Sequence, residues 1–291
     1  MPSATLHDGR TIEIEIHGDG PAVLVPVNPE PADEGPKAEE MRKWGADPSL
    51  GHSLVTGLRD GFRTIAFDYE GHILSVPKAD TLTPDAVAHD LLAVADAAGA
   101  GDFAYYGYSW LAMAGMQLAI RTDRLTALVM GGFPPVGGPY EAMLKVTAAT
   151  HRMAVEARTP PSTQRNPPST QPAEAGDWSN VTVSMSQDQT RQFVTLYQAL
   201  QRFDDRAAQS RITCPRLCFA GSADRIDYGP KWGDVQVNIA GPILERRAEL
   251  ERLGWDVRVL DGLDHMRAMQ ADQVLPVILP WLTSELPPLA S

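Results

Sequence analysis

Short apolar segments alternate with longer amphipathic ones along the first 130 residues of the chain. Residues 11–17 alternate apolar and polar side chains, which is typical of a half-exposed strand. Nearly continuous apolar runs predict buried strands at residues 22–27, 63–67, 102–106 and 125–130. Helical patterns separate these runs. Alternating strands and helices indicate a parallel sheet with both faces covered by helices.

This alternation stops after residue 132 and resumes with predicted strands at 215–220 and 255–260. Between them, helices are predicted at 140–157 and 188–203. They flank a Pro/Ser/Thr/Gln-rich stretch, about residues 159–180, whose composition favours a flexible loop. We therefore predict one domain with a core formed by residues 1–132 and 211–291. Residues 133–210 are predicted to form a helical lid.

The triplet Gly107-Tyr108-Ser109 joins the strand at 102–106 directly to an apolar helix beginning at Trp110. A turn this short holds its serine in a strained conformation at the carboxyl edge of the sheet, with the next backbone N–H directed at the ligand. Glycine is expected at 107 because a Cβ would crowd the turn. The alternative is that Ser109 only caps the helix.

Two further side chains with suitable chemistry follow later strands. A serine nucleophile needs a base, and the base needs a carboxylate to orient it. Asp224 follows the strand at 215–220, and His265 follows the strand at 255–260. Because loops after parallel strands gather at one edge of the sheet, we expect Ser109, Asp224 and His265 to converge. Asp227 is the alternative acid, and Asp264 is expected to cap a loop.

The order serine, aspartate, histidine, together with the segments around these residues, resembles the α/β-hydrolase family. Residues 67–72, Phe-Asp-Tyr-Glu-Gly-His, are also similar to that family's Asp-x-x-Gly-His segment. The resemblance covers essentially the whole chain. It implies an α/β fold with a doubly wound, mostly parallel sheet and a helical lid inserted after the sixth strand. The chain departs from the usual Gly-x-Ser-x-Gly at Leu111.

The resemblance also implies an oxyanion hole made of two N–H donors. The amide of Trp110 is the first candidate. The second should lie after the strand at 22–27, where relatives often have His-Gly but this chain has Asn28-Pro29-Glu30. Because Pro29 has no N–H, the candidates are Asn28, through its amide or side chain, and the amide of Glu30.

Aromatic and methionine residues near the predicted site suggest a pocket for a medium-sized, largely apolar substrate. The predicted lining residues are Tyr69, Phe133, Tyr140 and Met143, with Trp178 and Tyr228 as further candidates.

Composition narrows the possible partners. The chain has 25 basic and 37 acidic residues, a formal net charge of −12, which argues against nucleic acid or an anionic membrane as a partner. The first ten residues have no basic start and no apolar run, so we expect no signal peptide, and no apolar stretch approaches the roughly 20 residues of a membrane span. Cys214 and Cys218 are predicted to be unbridged, as in a reducing cytoplasm, and no metal or cofactor is predicted.

These observations predict a cytoplasmic serine hydrolase that cleaves a small-molecule carboxylic ester or lactone through an acyl-enzyme on Ser109. Hydrolysis of an amide or of a carbon–carbon bond and acyl transfer use the same triad and stay open as alternatives. A ligand-binding receptor or carrier with little turnover is the alternative outside catalysis, and the altered Asn28-Pro29 loop favours it.

Overall fold

The computed structural model describes residues 2–43, 45–157 and 184–286, which form eleven strands and twelve α-helices. The strands are β1 (Ser3–Thr5), β2 (Thr11–Glu13), β3 (Glu15–His17), β4 (Ala22–Val25), β5 (Arg63–Ala66), β6 (Phe103–Tyr108), β7 (Leu125–Gly131), β8 (Arg216–Gly221), β9 (Arg225–Asp227), β10 (Gln236–Asn238) and β11 (Trp255–Leu260). The helices are α1 (Pro36–Lys43), α2 (Leu50–Leu58), α3 (Tyr69–Ser75), α4 (Pro84–Ala97), α5 (Trp110–Ala119), α6 (Tyr140–Glu156), α7 (Gln187–Ala199), α8 (Asp205–Ala208), α9 (Ala240–Glu245), α10 (Arg247–Arg252), α11 (His265–Ala268) and α12 (Ala271–Glu285).

The central sheet has seven strands in the order β11-β8-β7-β6-β4-β5-β3. All neighbouring pairs are parallel except β3 with β5, which is antiparallel. The predicted α/β class with a doubly wound, mostly parallel sheet is therefore confirmed. Two small antiparallel pairs, β1 with β2 and β9 with β10, lie outside this sheet.

Both faces of the central sheet are buried, which explains why its strands read as continuous apolar runs. Successive side chains of β6 point to opposite faces. Tyr105 belongs to a core cluster that includes side chains of α4 and α5. Ala104 and Tyr106 belong to a second cluster that includes side chains of α2 and α12. The strand that precedes Ser109 is thus held from both sides.

Several segments differ from their sequence-based predictions. The strand predicted at 11–17 divides at the buried Ile14, so that β2 pairs with β1 while β3 pairs with β5. The strand predicted at 22–27 ends at Val25, because Pro26 has no N–H and Val27 turns back to donate to the Val25 carbonyl. The β9–β10 pair was not predicted, since three-residue strands carry little periodicity.

The insertion between β7 and β8 contributes α6, α7 and α8. Side-chain hydrogen bonds to backbone groups tie helix α7 to the last turn of α3 and to the segment that follows it. The Gln192 side chain donates to the Ile73 carbonyl and accepts from the Lys78 amide, both at 3.0 Å, and the Thr195 hydroxyl donates to the Ala79 carbonyl at 2.6 Å. The predicted loop at about 159–180 lies outside the described residues.

Cys214 and Cys218 are free thiols, as predicted. Among the helices of the described ranges, none combines the length and the apolar character that a membrane crossing requires.

Candidate active site

Ser109 occupies the turn between β6 and α5 with φ 57° and ψ −129°. A positive φ is unfavourable for a residue that carries a Cβ, and such strain is concentrated at functional sites. The Ser109 amide is held by the Gly131 carbonyl at 2.8 Å. A Cβ at Gly107 would lie 2.5 Å from the Leu111 carbonyl oxygen, so the expected need for glycine at this position is confirmed.

Close packing of α5 on β6 depends on Gly115 rather than on a glycine at 111. A Cβ at Gly115 would lie 2.5 Å from the ring of Tyr105. The hydroxyl of Tyr105 donates to the Leu111 carbonyl at 2.9 Å. The departure at Leu111 is therefore accommodated by a glycine one turn later in the helix.

The structure brings Ser109, Asp224 and His265 together. Nε2 of His265 lies 3.1 Å from the Ser109 hydroxyl oxygen, and Nδ1 lies 2.9 and 3.0 Å from the two carboxylate oxygens of Asp224. A neutral imidazole that donates from Nδ1 presents Nε2 as the acceptor for the serine proton. Asp224 is completely buried, and its backbone carbonyl accepts from the Ile239 and Ala240 amides. The carboxylate is thus held in place on a rigid loop.

The two alternative carboxylates for orienting the histidine, Asp227 and Asp264, make other contacts. The exposed Asp227 is on β9, where it accepts from the Gln236 side chain at 2.6 Å. Asp264 is the N-cap of α11 and accepts from the Arg267 amide at 2.8 Å, so its expected capping role is confirmed. Asp224 is the carboxylate that orients His265.

Tyr108 was not predicted as a site residue, although it is the middle residue of the Gly-x-Ser triplet. Its hydroxyl donates to the His265 carbonyl at 2.9 Å, and its ring centroid lies 5.1 Å from that of His265. The residue before Ser109 therefore also fixes the loop that carries the base.

Ser109 and His265 open into a cavity of about 680 Å³ with a mainly apolar wall. Its apolar wall includes residues of α5, α6, α7 and the loops that follow the strands, among them Trp110, Phe133, Met143, Val146, Phe193, Tyr197, Tyr228 and Trp232. Phe133, Met143 and Tyr228 are thus placed where the sequence analysis expected them. The volume and lining are those of a small-molecule site.

Two predicted pocket residues are corrections, because they lie in the core instead. The motif segment after β5 forms helix α3, and the hydroxyl of its first residue, Tyr69, donates to Asp90 at 2.8 Å. Tyr140 packs between the rings of Phe133 and Phe203, at 5.8 and 5.9 Å. Neither lines the cavity. The other candidate, Trp178, is outside the described residues.

The proposed oxyanion donors Asn28 and Glu30 also need correction. The Asn28 side chain accepts from the Glu30 amide at 3.0 Å, so the loop closes on itself in an Asx turn. Both residues are exposed, and neither is among the residues that line the cavity. Trp110, by contrast, lines the cavity as the first residue of α5, where backbone N–H groups have no acceptor within the helix.

Glu70 is a cavity residue that the sequence analysis quoted within its motif but did not single out. It lies between Asp68, which caps α3 by accepting from the Gly71 amide at 2.9 Å, and that glycine. Glu70 as a whole is exposed, but its carboxyl faces the cavity, where loss of solvation raises its pKa; the indole N–H of Trp110 partly opposes this effect, and solvent access keeps the shift small.

The raised pKa of Glu70 gives a pH-dependent contribution to stability. The pKa of this carboxyl is higher in the folded than in the unfolded chain. Its contribution to the free energy of unfolding is therefore largest below the pKa of the unfolded chain, about 4.3, and is lost as pH rises through the pKa of the folded chain. We expect Glu70→Gln, which is never charged, to gain melting temperature relative to wild type between about pH 4 and pH 8. Calorimetry of both proteins across that range measures the difference.

Glu34→Gln is the matched control. Its hydrogen bond with Arg42 lowers the pKa of the Glu34 carboxyl, so the sign reverses and that variant should lose stability, if only slightly, above the unfolded pKa. If the melting temperature of Glu70→Gln relative to wild type stayed constant or decreased with pH, the raised pKa of Glu70 would be contradicted.

The strain at Ser109 gives a second stability prediction. Glycine adopts positive φ without a Cβ penalty, so Ser109→Gly should be more stable than Ser109→Ala by about 1–2 kcal/mol. Both variants lose the hydroxyl, which makes the comparison specific for the backbone. Denaturant unfolding gives the two free energies, and equal values would show that the turn carries no strain.

The described residues contain no group of three or more His, Cys, Asp and Glu side chains that could hold a metal ion.

Comparison with known proteins identifies the fold. An esterase from Thermogutta terrifontis has a TM-score of 0.59 at 17% identity, over 98% of this chain and 98% of that chain. The enol-lactonase from Burkholderia xenovorans LB400 has a TM-score of 0.60 at 17% identity, over 97% and 100%. An epoxide hydrolase of the α/β-hydrolase superfamily, from metagenomes of hot environments, has 0.53 at 16%, over 96% and 97%.

No family profile matches the chain, and no curated protein sequence matches it. At these low identities the structural likeness shows the fold alone. The chain has the α/β-hydrolase fold, as the resemblance implied.

Proposed function

We propose that the protein is a serine hydrolase that cleaves a carboxylic ester or lactone through an acyl-enzyme on Ser109. The observation that carries this proposal is the chain of contacts from the Ser109 hydroxyl through His265 to Asp224, at 3.1 and 2.9 Å. It starts at a serine in a strained strand-to-helix turn and ends at a fully buried carboxylate. This is the arrangement that activates a serine for attack on a carbonyl.

In the proposed reaction, Ser109 attacks the carbonyl carbon while His265 Nε2 takes the hydroxyl proton. Asp224 accepts from Nδ1 and stabilises the imidazolium that forms. The amide of Trp110 stabilises the negative charge on the carbonyl oxygen, a contribution worth roughly 3 kcal/mol for one donor. His265 then returns its proton to the leaving alkoxide. A water molecule, deprotonated by His265, attacks the acyl carbonyl, and His265 returns this proton to the Ser109 oxygen as the carboxylic acid leaves.

The cavity suggests the kind of substrate. Its largely apolar wall and its volume of about 680 Å³ suit a medium-sized molecule with few charges. Structural neighbours named as an esterase and an enol-lactonase favour an ester or a lactone as the substrate. The epoxide hydrolase shares the fold, so the fold alone does not set the reaction.

We further propose that α6 and α7 act as the lid. Met143 and Val146 of α6 and Phe193 and Tyr197 of α7 line the cavity beside Ser109. Because α7 is fastened to the core segment 73–79 by side-chain hydrogen bonds, it is the fixed part of this cover.

A ligand-binding carrier is the second candidate function. The observation in its favour is the loop Asn28-Pro29-Glu30, which closes on itself and does not line the cavity. A protein with the triad but with only the Trp110 donor would bind a carbonyl compound and turn it over slowly.

Turnover of p-nitrophenyl esters of two to eight carbons and of γ- and δ-lactones separates these functions. For a hydrolase we expect multiple turnovers for at least one substrate, and loss of that activity in Ser109→Ala. Binding without turnover across the whole panel would favour the carrier. Adding a simple alcohol and measuring the new ester by mass spectrometry detects acyl transfer.

A further inference from the structure

The loop that carries the acid and the loop that carries the base are joined to each other. The Ala223 amide, after β8, donates to the Leu263 carbonyl, after β11, at 3.0 Å. The two backbones approach so closely that this carbonyl leaves no room for a Cβ at Gly221. We call residues 221–224 and 260–265 the acid–base unit, because these contacts couple the position of one loop to that of the other.

The nucleophile belongs to a different part of the fold, the turn between β6 and α5. The proton that Ser109 loses must cross the 3.1 Å between its hydroxyl oxygen and Nε2 of His265. Among the described residues, one hydrogen bond outside the triad joins this turn to the acid–base unit. The Tyr108 hydroxyl donates it to the His265 carbonyl at 2.9 Å. The position of the base relative to the nucleophile therefore depends on Tyr108.

The ring of Tyr108 is fixed by its packing, which gives its hydroxyl a defined direction. A Cβ at Gly131 or at Gly132 would lie 2.5 or 2.6 Å from this ring, so the glycine pair after β6 in the sheet makes room for it. The ring of Phe219 packs against it at 6.0 Å between centroids. Loss of solvation and, less strongly, the charge of Asp224 raise the pKa of the Tyr108 hydroxyl, which therefore stays protonated and can donate.

We propose that Tyr108 is a positioning residue, whose hydroxyl holds the acid–base unit at the distance from Ser109 that proton transfer requires. This inference rests on the proposed hydrolase function and deepens it. Tyr108 is not among the described residues that line the cavity, so it acts through His265 and not through the substrate. Its contribution belongs to the chemical step, because the position of a catalytic group determines how fast the bound substrate reacts.

Removal of the hydroxyl tests the proposal by kinetics. Tyr108→Phe keeps the ring and its packing but loses the bond to the His265 carbonyl. We expect kcat on the best p-nitrophenyl ester to fall by about 10- to 100-fold, since a displacement of about 1 Å can cost about 10²-fold. KM should stay close to that of wild type, because the cavity wall is unchanged.

Tyr106→Phe is the matched control. Tyr106 is on the same strand and also packs on Phe219, at 6.5 Å between ring centroids, whereas the His265 carbonyl accepts from Tyr108. We expect this control to retain the kcat of wild type, and the melting temperatures of both variants serve as the fold control. An unchanged kcat in Tyr108→Phe, an equal fall in Tyr106→Phe, or an effect confined to KM would each overturn the proposal.

Crystal structures of wild type and Tyr108→Phe supply a readout that is independent of turnover. We expect the distance from the Ser109 oxygen to His265 Nε2 to lengthen to about 3.6 Å or more, too long for a hydrogen bond, while Nδ1 stays bonded to Asp224. An unchanged distance, or loss of the contact with Asp224 as well, would overturn the positioning role. If wild type neither cleaves esters nor reacts with a fluorophosphonate, the hydrolase proposal fails, and this distance alone decides on the role of Tyr108.

Discussion

Replacement of Ser109 by alanine is expected to lower kcat by about 10⁶-fold, to the level left by binding and the oxyanion donor. The alanine removes the nucleophilic oxygen, which lies 3.1 Å from His265 Nε2, and leaves the cavity otherwise unchanged. The loss should therefore appear in kcat, with little change in KM. Steady-state kinetics on the best ester of the panel measures both constants.

Far-ultraviolet circular dichroism and the melting temperature of Ser109→Ala serve as the fold control. Residual activity within tenfold of wild type would show that another group performs the attack. Such activity would also mean that the strained conformation of Ser109 serves only helix capping or packing.

Replacement of Asp224 by asparagine is expected to lower kcat by about 10⁴-fold. The carboxylate accepts from Nδ1 of His265 and thereby keeps Nε2 free to accept the serine proton. An asparagine amide in the same place can donate to Nδ1, which stabilises the wrong tautomer. The substitution also removes the negative charge that stabilises the imidazolium. The variant should be assayed alongside Ser109→Ala under the same conditions.

Asp227→Asn is the control for this second prediction, because Asp227 lies only three residues after Asp224, on β9, but contacts Gln236 rather than His265. We expect it to retain activity within a few-fold of wild type. A larger effect at Asp227 than at Asp224 would mean that the carboxylates exchange roles when substrate binds.

The sequence predicted that three side chains lie close together, those of Ser109, Asp224 and His265. Each of them follows an apolar run that forms a strand of one parallel sheet. Because β6, β7, β8 and β11 pair in parallel in one sheet, their carboxyl ends lie along a common edge, where the loops that follow them meet. The need for glycine at residue 107 could also be predicted, because the short turn after the strand leaves no room for a Cβ.

Residue type alone could not separate cavity from core. Tyr69 and Tyr140 are aromatic residues near the site, as Phe133 is, yet only Phe133 lines the cavity. The difference depends on partners distant in sequence, such as Asp90 for the hydroxyl of Tyr69. Periodicity contains no information about such partners.

The loop after β4 could not be predicted for a different reason. The side chain of Asn28 competes for the amide of Glu30 within two residues, and this local bond determines where the loop points. Glu70 was overlooked because the motif around it has a structural explanation in the cap formed by Asp68. A carboxylate within four residues of the carboxyl end of β5, at the edge of the sheet where Ser109 was expected, was the signal that could have identified it.

Labelling with a fluorophosphonate, followed by peptide mapping, tests most directly whether Ser109 is an activated nucleophile. The reagent reacts with a serine whose proton is taken by a neighbouring base, whatever the natural substrate is. We expect a single adduct per chain on the peptide containing Ser109, absent from Ser109→Ala and strongly slowed in Asp224→Asn. An adduct on another residue, or undiminished labelling of Ser109→Ala, would contradict the proposed site.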